Sequence, residues 1–372
     1  MKAETHEYTA EFRLATDADK HLETYDHTKL SAVNTCPTWG ILRYQMHKAM
    51  PSSGRAMALE AGTAMHEVFA FVRLATMCEQ MKEIRDEAFI EEAWVTHGTR
   101  LFGLDRLEHL DKEIQHATDI MEVCKRGAVA VLDTGGFYDD PRDKRRTLSN
   151  LEECSFAYIN RWRFDHRIWR RDTNNPQSDV GIEIPFDIVV SISGMDVLNF
   201  RLTGRIDGIH YDNLDRLTIA DNKTASRLGD AWSMAQVVNH QYTTYCIAAS
   251  VFTQQVVNNY DVIGLAIPLP RSYDFGGFAR EPGQRGPHHY EDFIRWLVHT
   301  VKLTRQYAND PEHAPRYTHS CNRYYRPCSF IPYCYADPDE RKAILEEMVT
   351  DEWSPLHARG VQDGVGDAYH SS

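Results

Sequence analysis

The chain has 372 residues, 42% hydrophobic and 26% charged, with a formal net charge of −13. That length allows one large domain or two ordinary ones, and that composition supports a sizeable core in a soluble protein. The acidic balance excludes a general pull on nucleic acid, so any such binding must come from local basic patches.

Residues 1–20 are polar and mixed in charge, and read as a flexible N-terminal tail. The opening MKAETHEYTAEF lacks the charged-then-apolar pattern of a signal peptide, and the longest apolar runs are too short to span a bilayer. A cytoplasmic protein without a membrane partner is expected. Residues 21–75 carry N-terminal helices. Leu30, Val33, Trp39, Leu42 and Tyr44 recur at roughly helical spacing, interrupted by Cys36-Pro37. After a loop at Pro51–Gly54, a second helix is predicted from Ala56 to Met81. It contains Gly62, which costs a helix ~1 kcal/mol relative to Ala and so suggests close approach of another element. His66 lies one turn further along that face.

Residues 76–179 read as a helical insertion, mostly charged and closing on Asp172–Pro176. Within it, Tyr158–Arg171 interleaves Arg161, Arg163, Arg167, Arg170 and Arg171 with Trp162, Phe164 and Trp169. Arginine among aromatics suits a nucleic-acid strand, through phosphate neutralisation and base stacking; it equally suits a solvated helix with its aromatics packed inward.

Residues 180–336 form the β-rich core. A strand carries Glu183, turns at Ser193–Asp196 and is followed by a strand carrying Asp207. A turn at Asp212–Asp215 leads to a third strand ending in Asp221-Asn222-Lys223. Leu217, Ile219, Asp221 and Lys223 share one face of it, because strand side chains alternate. A helix over Asp230–Thr253 then holds Gln241 and Tyr245 one turn apart, followed by an apolar strand at Val262–Leu269. A mobile loop (Asp274–Pro287), an amphipathic helix (Tyr290–Tyr307) and a Cys-rich loop (Cys321–Cys334) come next. Residues 337–372 supply a C-terminal helix and tail.

A carboxylate and an ammonium at the end of an apolar strand face are costly to bury unless something compensates them. Glu183, Asp207 and Asp221 on neighbouring strands, with Lys223 and the upstream His66, supply hard oxygen ligands and one imidazole. That set suits Mg2+ or Mn2+. Metal and lysine together would polarise a phosphodiester and position the attacking water.

The motifs Gly62-x3-His66, Gly204-Arg205-Ile206-Asp207-Gly208, Asp221-Asn222-Lys223-Thr224 and Gln241-x3-Tyr245 resemble the PD-(D/E)XK nucleases of the RecB/AddB type, including the CRISPR-associated exonucleases. The resemblance spans roughly residues 31–334 and implies a restriction-endonuclease-like α/β fold, a mixed central sheet flanked by helices. It implies metal binding by His66, Asp207 and Asp221, with the Asn222 carbonyl and, more weakly, Glu183. Lys223 would be the catalytic lysine, and Gln241 and Tyr245 would sit beside DNA or the metal. Asp221 stands where many relatives have Glu, and its shorter arm still reaches a metal.

Cys321-x6-Cys328-x5-Cys334, with Cys36 far upstream, offers four thiolates for zinc or an iron–sulfur cluster. One cysteine before the nuclease motifs and three after them is similar to the 4Fe–4S arrangement of the same relatives, which implies a cluster-stapled C-terminal loop. Arg323 and Tyr324, with Tyr325 and Arg326, lie inside that loop as further candidates for DNA contact. The expected function is a metal-dependent DNA exonuclease acting on single strands or duplex ends, alone or beside a helicase or recombination partner. The competing expectations are a non-catalytic iron–sulfur DNA-binding or assembly subunit and a structural zinc protein.

Overall fold

The computed structural model describes residues 1–51, 57–137, 140, 143–162, 167–269, 277–323 and 326–351. The chain divides into two compact units. One comprises residues 1–55, 187–204 and 286–356, and the other residues 56–186, 205–285 and 357–372.

The second unit holds His66, Glu183, Asp207, Asp221, Asn222, Lys223, Gln241 and Tyr245, while Gly204 ends a segment of the first. Its helices are α1 (Met57–Met81), α2 (Glu87–Phe102), α3 (Leu104–Ile114), α4 (Ile120–Thr134), α5 (Leu148–Trp162), α6 (Asp230–Val237) and α7 (His240–Thr253). Its strands belong to β1 (Ile182–Gly194), β2 (Leu198–Tyr211), β3 (Leu217–Ala225), β4 (Asn259–Ala266) and β5 (Phe278–Gln284), neighbours in that order.

The sheet is mixed. β2 and β3 pair antiparallel, with Gly208 opposite Ala220; β3 and β4 pair parallel, with Asp221 opposite Val262; β4 and β5 are antiparallel. Leu217 through Asn222 are all buried, so β3 is covered on both faces, as parallel strands require. The β2–β3 hairpin is built by Asp212. Its Oδ1 accepts the backbone amides of Leu214 and Arg216 at 2.9 Å, while Asp215 adopts a left-handed φ of 58°.

α1 is apolar on most of its circumference, which suits a helix surrounded by protein. Met65, Val68, Phe69, Phe71, Val72 and Leu74 are buried in one core with Leu110, Val131 and Leu151 from the later helices and Ile263 and Leu265 from β4. A Cβ at Gly62 would lie 3.4 Å from Thr224 Oγ1, the close approach of another element that a helical glycine suggests. The single helix predicted over Asp230–Thr253 is two. α6 stops at Val237, and Asn239 caps α7 by accepting the Gln241 amide at 2.9 Å.

In the first unit, residues 1–20 depart from the expected flexible tail. Lys2–Glu4 and Tyr8–Leu14 are paired antiparallel strands, and the latter pairs in turn with Ile188–Gly194 of β1. Alternation explains this: Ala10 and Phe12 are buried while Glu11 and Arg13 face out, a period of two masked by the charged residues between. The helix His27–Thr35 is capped by Asp26, which accepts the Lys29 amide at 3.0 Å, and packs on the helix Pro287–Tyr307. The expected mobile loop at 274–287 instead contributes β5; residues 270–276 lie outside the described residues. No helix among the described residues is long and apolar enough to cross a membrane.

The iron–sulfur staple expected at Cys36, Cys321, Cys328 and Cys334 is corrected by the structure. Among the described residues, the set of side chains whose ligand atoms all lie within 4.8 Å of one another is His66, Glu183 and Asp207, and no thiol belongs to it. The four cysteines are free and share the first unit: the Cys328 amide donates to the Cys321 carbonyl at 2.8 Å. Cys328 and Cys334 pack against an apolar cluster of Leu42, Phe330, Tyr333 and Met348. Burial pushes the Cys328 thiol up and the Cys334 thiol to about 11.

Candidate metal centre

Three separate elements converge on the metal-suited set. His66 projects from α1, Asp207 from β2 and Glu183 from the start of β1. His66 Nδ1 lies 3.3 Å from Asp207 Oδ2. The β2–β3 ladder runs to the Gly208–Ala220 pair, and one residue further along β2 Asp207 accepts the Asn222 amide at 2.8 Å. A backbone donor left over where the strands diverge is thus satisfied by the carboxylate itself.

Glu183 reaches the set through an unusual backbone, with φ at +46°. The sequence made it the weakest candidate because its spacing to Asp207 is loose, and no residue type there announces a left-handed glutamate. Arg205 Nη1 stands 3.9 Å from its carboxylate. Arg73 is a second cation that sequence reasoning passed over. It lies seven residues beyond His66, two turns along the same face of α1, and a Cβ at Gly208 would fall 1.7 Å from its Nη1. Glycine at 208 is what admits that guanidinium beside the site.

Asp221, expected as a ligand, stands apart from the three-residue set. It is 1% exposed, and its Oδ2 lies 2.8 Å from Lys223 Nζ, two residues on along the same strand face. The Tyr242 hydroxyl, which donates to Gln236 Oε1 at 2.6 Å, lies 3.4 Å from the same carboxylate. Gln241 Nε2 donates to the Tyr245 hydroxyl at 2.7 Å, the one-turn contact their spacing predicts. Asn222 turns its amide to Asp207, and its side-chain Oδ1 lies 3.5 Å from the Tyr158 hydroxyl.

Electrostatics follow from packing these groups out of water. Burial would lower the His66 pKa, but the Asp207 and Glu183 carboxylates raise it to about 9. Burial and the neighbouring Asp207 carry Glu183 up to about 7, against the pull of His66, Arg205 and Arg73. Burial works against ionised Asp207, yet His66, Lys223 and the Asn222 amide hold it well below the usual carboxylate range. Burial likewise opposes the Lys223 charge, and Asp221 and Asp207 outweigh it, so the ammonium is retained. Burial raises the Tyr245 phenol, and Asp221, Asp207 and Glu183 raise it further, which puts that hydroxyl within the field of all three carboxylates.

The donor set fits a hard divalent cation: carboxylate oxygens and one imidazole whose ligand atoms lie within 4.8 Å of one another, with burial first and Asp207 second opposing the charge of Glu183. His66, Glu183 and Asp207 would hold it.

The basic candidates are scattered. Arg161 is exposed, with its guanidinium over the rings of Trp162 and Phe278. Arg167 pairs with Asp215 at 2.7 Å and stacks on Tyr211. Arg170 donates to the Asn175 carbonyl at 2.6 Å and covers Phe89. Arg163 and Tyr324 lie outside the described residues, as does the side chain of Arg323.

A comparison with protein families matches residues 26–335 to the PD-(D/E)XK nuclease superfamily. None of the curated proteins matches the chain.

Proposed function

Because this chain belongs to the PD-(D/E)XK nuclease superfamily, we propose that it is a divalent-metal-dependent DNA exonuclease of the RecB/AddB type, acting on single strands or duplex ends. The observation that carries this reading is the convergence of His66, Glu183 and Asp207, with the Lys223–Asp221 pair on the adjoining strand.

When bound, Mg2+ or Mn2+ would supply Lewis-acid polarisation of the scissile phosphate. The chain's own groups do the rest. Asp207, anchored by the Asn222 amide, is the fixed anion of the site. Asp221 holds Lys223 in place and charged, so its ammonium acts as a cation toward the phosphate and orients the attacking water. Water attacks phosphorus and gives up a proton, the P–O bond to the leaving oxygen breaks, and that oxygen takes up a proton from solvent, so that water is added across the bond. Gln241 and Tyr245, locked to each other, line the approach to these carboxylates. Arg161 is the basic candidate best placed to meet a strand, since its guanidinium is exposed on an aromatic platform. Recombination or repair alongside a helicase is the setting such an activity suits.

Digestion of end-labelled DNA, single- and double-stranded, linear and circular, with Mg2+ or Mn2+, tests the reading. Loss of linear DNA from its ends with circles left intact is the expected result. Cleavage of circles, or no cleavage with either metal, overturns it.

A further inference from the structure

Of the three residues in the metal-suited set, only Glu183 has a left-handed backbone, at φ +46°. A glutamate persists in that region only where the surroundings over-determine it. Two features of its own segment force the bend. Gly181 packs so closely on β2 that a Cβ there would fall 2.0 Å from the Ile209 carbonyl oxygen. The Ile182 amide turns back to donate to the Val180 carbonyl at 2.8 Å.

The third feature comes from α2. Arg100 donates Nη2 to the Ile182 carbonyl at 2.7 Å and Nη1 to the Glu183 carbonyl at 3.0 Å. The guanidinium fork thus spans two consecutive carbonyls across the bend. His97, one turn earlier on α2, has Nε2 3.1 Å from the Pro176 carbonyl, and Glu92 accepts from Gln177 Nε2 at 2.6 Å. One helix face therefore braces the segment leading into Glu183 at several points, with Arg100 the one that grips the strained residue.

We propose that Arg100 is a positioning residue of the metal centre, acting through Glu183 by holding the bend that aims its carboxylate at His66 and Asp207. This rests on the metal-dependent reading above and extends it to a helix that contributes no ligand. Loss of the fork frees Glu183 to relax toward an ordinary extended φ. That relaxation re-aims the Cα–Cβ bond of Glu183, and its carboxylate with it, away from the set.

The test is Mn2+ titration by calorimetry on the full-length wild type, R100A, R100K, E183A and the R100A/E183A double variant, with melting curves recorded without metal. The expected result is Mn2+ binding weakened about 10-fold or more in R100A, the scale of losing an outer-shell partner. Partial recovery in R100K follows from an ammonium that replaces only one prong. In the E183A background R100A should add no further loss. Equal binding by wild type and R100A overturns the proposal, as does an equal loss with and without Glu183, which would make Arg100 a general brace. Should R100A not fold, R100Q, which keeps one donor, is judged by the same outcomes. A wild type that takes up no Mn2+ overturns the metal reading itself; a wild type that binds while R100A binds equally overturns only this proposal.

Discussion

Lys223 Nζ lies 2.8 Å from Asp221 Oδ2, on one face of β3 and two residues apart. The pair stands beside the His66–Glu183–Asp207 set rather than within it. On the proposed reading the metal-suited set lies on one side and a held cation on the other, and that separation shapes what substitutions should do.

Lys223→Ala is expected to reduce Mn2+-dependent DNA cleavage by at least ~100-fold, the scale of losing an aligned electrostatic group, while calorimetric Mn2+ binding stays within a few-fold of wild type. Cleavage near the wild-type rate by this variant would remove Lys223 from the chemistry.

Asp207 does two jobs, so two substitutions should separate them. Asp207→Asn keeps an acceptor for the Asn222 amide and removes the charge; Asp207→Ala removes both. Both should lose Mn2+ binding. Asp207→Ala should also be less stable than Asp207→Asn by ~1–3 kcal/mol in urea unfolding, for an orphaned buried donor. Equal stability of the two would mean that the amide finds another partner.

His97 supplies a pH test away from the ligands. It is 3% exposed, and burial together with the nearby Arg100 charge pushes its pKa down to about 4. An unfolded histidine titrates near ~6.5, so between these values the unfolded chain binds the extra proton. Stability is therefore whole above pH ~6.5 and declines as pH falls toward 4, by up to ~3 kcal/mol. His97→Gln, which keeps a donor for Pro176, should lack this component. Identical pH dependence in urea unfolding of the two proteins would rule it out.

On β4, Asp261 is 3% exposed and receives Arg280 Nε from β5 at 2.8 Å. Arg280→Ala deprives a buried carboxylate of that cation and should destabilise the protein by about 3 kcal/mol, less when combined with Asp261→Asn. A single variant as stable as wild type would show that other neighbours compensate the carboxylate.

The sequence by itself determined what depends on local geometry. Alternation along β3 puts Asp221 and Lys223 on one face, and helical spacing brings Gln241 to Tyr245 and sets His66 one turn from Gly62. The motifs that carry the family lie on such short stretches, which is why the nuclease class was legible. Local pattern also misled where charges interrupted it, as in the N-terminal strands, and where cysteine spacing suggested a metal staple that the structure does not form. His66, Glu183 and Asp207 were candidates from the sequence, but tertiary structure alone decided that they meet and that Asp221 stands outside the set. His66, Glu183 and Asp207 are far apart in the chain, and their meeting depends on sheet register, the place where β2 and β3 diverge, and the packing of α1 against β3. A left-handed Glu183 held by Arg100 has no signature in residue order, because it is set by contacts between elements and not by the propensity of either.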